Sequence, residues 1–300
     1  MKNTPIVLIL FTVYIMSFTS CLKDMTIPVY FQIDSVDFSA DYITYGTASH
    51  KITDVWVTVN GVSVGVYELP AKFPVLTSGK VKLQFSPGIM MDGISSRRPS
   101  YPMYTSCFET VDLDVDTVYS FRPSFTYADY VDFAFKEDFE DAGLKFTAIE
   151  SSPPLEKTGD PKNVFYHKGE INNYSGKISI LDTGSSFFEI ITNDAYELKN
   201  TNTQYCFIEL NYKMDIPEND NINVEVGLYV NTITDQKVQR PLIKIKQSPT
   251  WKKMYINVTE AMHEQSAYMK DFTVYIKGTT KAGVSATCFF DNIKLVYIPL

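Results

Sequence analysis

Cysteine is scarce in this chain, with four residues in 300. One of them lies near the N-terminus, so only Cys107, Cys206 and Cys288 remain for the rest of the chain. Three cysteines cannot form a complete disulfide framework, and their wide spacing without paired histidines excludes a zinc-finger type of site. Cys206 and Cys288 lie in apolar strand patterns, which leaves open a bridge between them or two buried free thiols.

The motifs of several common enzyme classes are also missing. The three histidines, His50, His167 and His263, lie far apart, and there is no Gly-x-Ser-x-Gly turn, His-Glu-x-x-His helix or phosphate-binding loop. A carboxylate pair for glycoside hydrolysis depends on a spacing that only the fold sets. Glu209 and Glu225 would form such a pair if their strands were neighbours. We predict that the protein is not an enzyme.

Positive charge is in deficit, since 27 lysines and arginines face 35 acidic residues for a formal net charge of −8. That balance argues against binding to nucleic acid and against electrostatic docking on anionic lipid.

Helical periodicity is confined to one or two turns at residues 259–265, with Thr259 as the expected cap. The hydrophobic content of 45%, with 20 tyrosines and 20 phenylalanines, suffices for packed cores and favours strands. We predict an all-β protein.

The first 24 residues have the pattern of an export signal. Lys2 precedes the apolar run 6–18, which contains polar residues and is shorter than the about 20 apolar residues of a membrane-spanning helix. Small residues then lead to a cysteine, as in a secretory signal. The alternatives are an ordinary secreted protein and a single-pass membrane anchor.

The end of this segment carries a resemblance. Phe18-Thr19-Ser20-Cys21 resembles the lipobox of bacterial lipoproteins, which implies a signal peptide of residues 1–20 and acyl chains on Cys21. Residues 21–25 would form the lipidated tether, and several acyl chains anchor stably where a single chain is marginal. The following Leu22-Lys23-Asp24 is similar to the surface-export signal of lipoproteins in polysaccharide-degrading Gram-negative bacteria. That similarity implies a position on the outer membrane, facing the cell exterior.

Residues 26–127 have the pattern of a small antiparallel sandwich. Residues 55–59 and 62–66 alternate and are joined by Asn60-Gly61, a strong hairpin signal because both residues accept positive φ. The size is that of an immunoglobulin-like domain, and residues 57–61 resemble the hairpin of small surface β domains that act as spacers or adhesion modules. A loop at 92–104 contains Arg97 and Arg98, which either bind an acidic partner or are solvated.

Residues 130–300 have strand patterns at the spacing of a jelly roll with eight or more strands. The patterns cover 176–181, 187–192, 206–214, 223–230, 242–247, 251–258, 272–277 and 287–298. Segments 137–141, 248–255 and 289–295 resemble the first, tryptophan and closing strands of carbohydrate-binding jelly-roll modules. The resemblance implies glycan binding and a structural calcium shared by Glu140 and Asp291, whose hard oxygens suit that ion. The alternative is a solvated acidic patch.

Strand alternation predicts a binding face on this second domain. Tyr229, Tyr255 and Tyr275 each lie on the side of their strand away from the apolar residues. The polar residues that we expect beside them are Glu225, Glu209 and Asn211. Aromatic faces stack on sugar rings while polar neighbours bond the hydroxyls. The alternatives are a plain solvent face and a face covered by the first domain.

Together these patterns predict a non-catalytic surface lipoprotein with two β-sandwich domains, immunoglobulin-like and then jelly roll. The second domain would bind glycan, and the first would act as a spacer. The alternative is a structural or adhesion lipoprotein that contacts surface proteins without a sugar site. A glycan-active enzyme is the third hypothesis.

Overall fold

A computed structural model describes residues 27–300 of the chain. Cys21 and the tether 21–25 lie outside these residues, as does the predicted signal peptide. Within residues 27–300, no helix has the length and apolar character needed to cross a membrane.

The first β-sandwich consists of a three-stranded sheet, a four-stranded sheet and a short parallel pair. The strands are β1 (Val29–Ile33), β2 (Asp37–Phe38), β3 (Ile52–Val59), β4 (Val62–Glu68), β5 (Ala71–Val75), β6 (Gly79–Ile89), β7 (Cys107–Leu113), β8 (Val118–Phe121) and β9 (Ser124–Phe125), with the single-turn helix α1 (Tyr42–Tyr45). The three-stranded sheet has the order β5-β1-β8, the four-stranded sheet has the order β4-β3-β6-β7, and β2 pairs with β9.

The predicted hairpin is formed by β3 and β4. Asn60 and Gly61 connect the two strands with φ values of 49° and 81°, the left-handed conformation that this dipeptide tolerates. The alternating valines of β3 consequently point into the core, where Val55 and Val57 are buried.

The second β-sandwich has a six-stranded sheet that faces a five-stranded sheet. In the larger sheet the order is β12-β13-β20-β15-β18, with β10 also paired to β20, and in the smaller it is β11-β14-β19-β16-β17. The strands are β10 (Asp132–Glu137), β11 (Phe146–Ala148), β12 (Glu156–Thr158), β13 (Ser175–Ile180), β14 (Phe187–Thr192), β15 (Thr203–Asp215), β16 (Ile222–Thr232), β17 (Lys237–Ile245), β18 (Lys252–Asn257), β19 (Met269–Thr280) and β20 (Ala286–Pro299). The prediction of an all-β chain built from β-sandwiches is confirmed.

The predicted helical turns form the helix α2 (Thr259–Gln265), which lies between β18 and β19. The capping prediction is wrong, because Val258 occupies the N-cap. The Thr259 hydroxyl instead bonds the backbone N–H and C=O of Cys206 on β15, at 3.0 and 3.1 Å. The residue therefore ties the helix to the six-stranded sheet.

Each sandwich buries the apolar side of its strands. Val224, Val226 and Leu228 of β16 point into the second core, and each such buried aliphatic side chain contributes about 1.5–3 kcal/mol. Cys206 and Cys288 are buried in the same core as free thiols. Of the two arrangements left open by the sequence, the unbridged one is correct.

The core of the first sandwich extends beyond its own strands. Phe207 of β15, Tyr255 of β18 and Val296 and Ile298 of β20 all belong to that buried cluster. These side chains lie on the outer side of the six-stranded sheet. The first sandwich therefore packs against that side, and the two domains share an apolar interface.

Candidate functional site

The outer side of the six-stranded sheet is covered by the first domain. Tyr255 is only 1% exposed. Its ring lies 4.9 Å from the ring of Tyr101, and its hydroxyl lies 3.2 Å from that of Tyr104. The same hydroxyl accepts a hydrogen bond of 2.9 Å from the backbone N–H of Lys51. Tyr255 is therefore an interface residue that no sugar can reach.

Glu209 is the centre of a buried polar network in this interface. Its carboxylate lies 2.8 Å from the Lys253 ammonium and accepts hydrogen bonds from the hydroxyls of Tyr101 and Tyr127 at 2.8 and 2.9 Å. Burial alone would raise the pKa of Glu209, but the positive charges of Lys253 and Lys294 keep it below its ordinary value. The network thus holds a charged carboxylate between the domains.

Lys294 belongs to the same network and is also fully buried. Its ammonium donates to the backbone carbonyl of Thr47 at 3.0 Å and to the Tyr127 hydroxyl at 3.1 Å. Burial and the nearby Lys253 charge lower the pKa of Lys294 to about 7. Asn211 completes the buried set through a 3.3 Å bond to the Ser49 hydroxyl.

Arg97 of the 92–104 loop takes part in domain docking, whereas Arg98 pairs with Asp54 and Glu68 inside the first domain. Arg97 pairs with Asp92 at 2.6 Å and with Glu260 of α2 at 3.1 Å. Asp92 in turn bonds the edge strand β18, since its N–H donates to Tyr255 O and its carboxylate accepts from Asn257 N, both at 2.8 Å. Both arginines are therefore paired with carboxylates of the chain itself, while residues 93–96 of the loop are exposed.

The single binding face expected from strand alternation is wrong. Tyr255, Glu209 and Asn211 lie on the six-stranded sheet and are buried in the domain interface. Of the two alternatives to a binding face, a solvent face and a face covered by the first domain, the second is correct for these three residues. Tyr229, Tyr275 and Glu225 lie on the five-stranded sheet, on the opposite side of the sandwich. The same separation contradicts a hydrolytic pair of Glu209 and Glu225.

The outer side of the five-stranded sheet carries a cluster that we call the Tyr229 surface, made of Tyr229, Tyr275, Glu189, Glu225 and Lys277. The hydroxyl of Tyr229 reaches across β19 and donates to Glu189 at 2.6 Å. The Tyr275 hydroxyl donates to Glu225 at 2.7 Å, and Lys277 pairs with the same carboxylate at 3.0 Å. Burial and these carboxylates raise the pKa of both tyrosines.

Only one of the two tyrosines presents its ring to solvent. Tyr275 is 0% exposed, because its ring lies over Gly227 of the neighbouring strand and beneath Tyr229, whose ring centroid is 4.8 Å away. Tyr229 is half-buried, and the Lys237 ammonium lies 4.2 Å from its ring centroid. Tyr275 thus supports Tyr229, and the prediction that its ring is open to a sugar is wrong.

Polar groups surround the exposed ring. Thr273, the cross-strand partner of Tyr229, has a buried hydroxyl without a hydrogen-bond partner among the described residues. Asn231 donates to Asp271 at 2.5 Å on the adjacent row of the sheet. The surface therefore combines an aromatic ring, carboxylates, an amide and an unpartnered hydroxyl, which are the groups that bind sugars.

Glu140 and Asp291, the predicted calcium ligands, lie beside one small cavity together with Asp138. Glu140 accepts hydrogen bonds from the backbone N–H groups of Asn173 and Tyr174 at 2.7 and 3.0 Å. Asp291 accepts from the Ser175 hydroxyl and from Asn292 N. Burial raises the pKa of Asp291, and the charges of Asp138 and Glu140 act in the same direction.

The fit of these residues to calcium is incomplete. Within residues 27–300, no three or more histidine, cysteine or acidic side chains are arranged to hold a metal ion. A calcium ion would have to displace the hydrogen bonds of both carboxylates and recruit backbone oxygens. Calcium at Glu140 and Asp291 remains a prediction.

Sequence reasoning missed Glu189 and Thr273 on the Tyr229 surface. Both alternate with buried residues, Glu189 between Phe188 and Ile190, so the same pattern that selected Tyr229 also marks them. The docking of the 92–104 loop had no comparable signal, because its partners in the second domain, Glu260 and Asn257, lie more than 160 residues away in sequence.

No protein-family model and no curated protein matches this sequence. Among solved structures, the chain is similar to the CBM22-1 xylan-binding domain from Paenibacillus barcinonensis Xyn10C, with a TM-score of 0.41 and 9% identity over 58% of this chain and 99% of that one. It is also similar to the family 11 carbohydrate-binding module of Clostridium thermocellum Lic26A-Cel5E, with a TM-score of 0.36 and 12% identity over 55% and 93% of the two chains. These similarities concern the β-sandwich fold.

Proposed function

We propose that this protein is a lipid-anchored, non-catalytic lipoprotein of the outer membrane that binds glycan at the Tyr229 surface. In this proposal acyl chains on Cys21 hold it in the membrane, and the protein faces the cell exterior. The small first domain is an immunoglobulin-like spacer, and the second is a carbohydrate-binding jelly roll.

One observation carries the glycan proposal. The second sandwich has two outer sides, and the first domain covers one of them, where Tyr255 and Glu209 are buried. The other side keeps Tyr229 half-exposed among carboxylates, an amide and the unpartnered hydroxyl of Thr273. A sugar ring on Tyr229 would displace the Lys237 ammonium and bond Glu189 through its hydroxyls.

The domain interface defines what the first domain does in this proposal. An interface with a shared apolar core and a buried charge network favours one packing arrangement, because a rotation would expose Glu209 or separate it from Lys253. In this proposal the first domain therefore acts as a rigid spacer for the second domain, which carries the Tyr229 surface.

A protein partner is the second candidate function. On the four-stranded sheet of the first domain, Phe108 of β7 is 71% exposed, and Val62 of β4 is also exposed. Both strands are edges of their sheet, and exposed apolar side chains on sheet edges favour protein contact. In this alternative the protein binds no sugar.

The glycan proposal is tested with the chain from Lys23 onward on an array of neutral oligosaccharides, followed by calorimetric titration of any ligand found. We expect binding that Tyr229→Ala lowers roughly twofold to tenfold, because stacking on an aromatic ring is worth about 0.5–1.5 kcal/mol. The control is Tyr166→Ala, which removes an exposed tyrosine remote from this surface. An equal loss in both variants, or no neutral ligand at all, would overturn the proposal.

The remaining parts of the proposal have their own tests. Mass spectrometry of the protein from its native cells should find acyl chains on Cys21 as the first residue, and protease added to intact cells should degrade it. Prolonged incubation with a bound oligosaccharide should leave the saccharide intact. New reducing ends would show turnover and refute the non-catalytic assignment.

A further inference from the structure

A second cavity, of about 280 Å³, lies where the two domains meet along the edge strand β18. The first domain contributes Lys51, Met90 and Gly93 to its wall, and the second contributes residues 246–248, Tyr212 and the strand itself. Its volume is near the lower end of the about 300–1,000 Å³ of small-molecule sites. The cavity is separate from the Tyr229 surface, which lies on the other sheet.

The charge of this cavity opposes that of the protein as a whole. Four lysines, Lys51, Lys246, Lys252 and Lys253, line it, and no aspartate or glutamate does, although the chain has a net charge of −8. Within residues 27–300, no ion pair joins Lys51, Lys246 or Lys252 to a carboxylate. The cavity is therefore suited to an anion.

Lys253 adds a buried positive charge beside the cavity. Its side chain is 3% exposed, and its ammonium lies 2.8 Å from Glu209. It makes no well-aligned hydrogen bond to any described residue, although an ammonium has three donors. The Lys253 ammonium is shielded from solvent and faces Glu209. The exposed residues Lys51, Lys246 and Lys252 are therefore the donors that a ligand can reach.

Part of the wall is apolar. Met90 and Met254 face the cavity together with Tyr212, whose hydroxyl is already bonded to the carbonyl of Lys246 at 3.1 Å. A small inorganic anion would leave these side chains without a contact. A ligand with both an anionic group and a ring of C–H bonds would use the lysines and the apolar wall together.

We propose that this cavity binds a sugar acid, a hexuronate whose carboxylate contacts the lysines and whose ring carbons rest on Met90, Met254 and Tyr212. Carboxylates accept charge-assisted hydrogen bonds from ammonium groups, which are stronger than neutral ones. The proposal does not depend on sugar binding at Tyr229.

The first experiment titrates the chain from Lys23 onward with galacturonate, galactose, sulfate and phosphate by calorimetry. We expect galacturonate to bind and galactose, its neutral counterpart, to bind at least tenfold more weakly. The affinity for galacturonate should fall as salt is raised, because the lysines at the mouth are exposed and screened. Equal affinity for galactose, equal affinity for phosphate or sulfate, or no binding of galacturonate would each overturn the proposal.

The second experiment uses matched variants. The double variant Lys246→Gln/Lys252→Gln changes two exposed side chains and should lower the affinity for galacturonate about tenfold, since each partly exposed charge contributes a factor of about three. Lys80→Gln/Lys82→Gln makes the same charge change on exposed residues of the first domain and should have no effect. An unchanged affinity in the first double variant would refute the site. Tyr229→Ala should leave galacturonate binding unaltered, which separates this site from the proposed function.

Discussion

The buried carboxylate between the domains makes the sharpest stability prediction. Glu209→Gln removes the negative charge that faces Lys253 at 2.8 Å and leaves Lys253 and Lys294 without their common counter-charge. Removing one member of a buried ion pair costs about 3–5 kcal/mol, because the remaining charge is desolvated and unpaired. The amide oxygen of glutamine can still accept hydrogen bonds from Tyr101 and Tyr127, so the loss of stability measures the contribution of the negative charge. For a chain of this size it corresponds to a fall of roughly 10 °C in Tm.

Urea unfolding measures this loss domain by domain. Trp56 lies in the first domain and Trp251 in the second, so single-tryptophan versions that keep one indole or the other report each sandwich separately. Because one apolar cluster joins both domains, we expect both probes to unfold in one transition and both to shift in Glu209→Gln. The matched control is Glu225→Gln, whose pair with Lys277 is partly exposed and should contribute at most about 1 kcal/mol.

Two results would refute this reasoning. A loss below 1 kcal/mol in Glu209→Gln, no larger than in the control, would mean that the interface does not bury the charge. Separate transitions for the two indoles would mean that the domains do not stabilise each other. A companion variant, Glu209→Gln/Lys253→Met, should recover part of the loss because it removes the unpaired ammonium.

Three further predictions concern other parts of the molecule. The pKa of Lys294 is about 7 in the folded protein and 10.5 in the unfolded chain, so the unfolded state binds more protons between these pH values. The free energy of unfolding should therefore rise from pH 7 towards pH 10, and Lys294→Met should remove that rise in urea titrations. If calcium binds at Glu140, its addition should raise Tm in the parent and not in Glu140→Gln, whereas a melt unaffected by both calcium and chelator would contradict the site. Gly227→Ala places a Cβ against the ring of Tyr275 and should cost about 1–3 kcal/mol in urea unfolding. Gly143→Ala, with open space around it, should not; equal losses would refute the close packing of Tyr275 on Gly227.

Local patterns predicted the strands well. The alternation of β16 and β19, the Asn60-Gly61 hairpin and the helical turns after β18 depend on residues close in sequence, so they can be recognised without knowledge of the rest of the fold. The same alternation correctly showed which side of each strand faces away from its own core, for Tyr255 as much as for Tyr229. It carried no information about what lies on that other side.

The candidate site shows that local sequence patterns do not predict which outward-facing residues stay exposed. Tyr255 and Tyr229 have equivalent positions in their strands, yet one is buried in the domain interface and the other is half-exposed. The difference arises from Tyr101 and Tyr104, about 150 residues away in sequence from Tyr255. Tyr275 is likewise buried by Gly227 and Tyr229 on a neighbouring strand, which a reading along β19 alone does not reveal.

By itself the sequence determined the all-β class, the hairpin and the inward face of each strand, because backbone geometry and apolar periodicity act over a few residues. Only the tertiary structure decided which outer side stays open, where the arginine loop docks and that four lysines meet at one cavity. Those outcomes depend on contacts between distant segments, whose free energy is set by which surfaces the two sandwiches bury against each other.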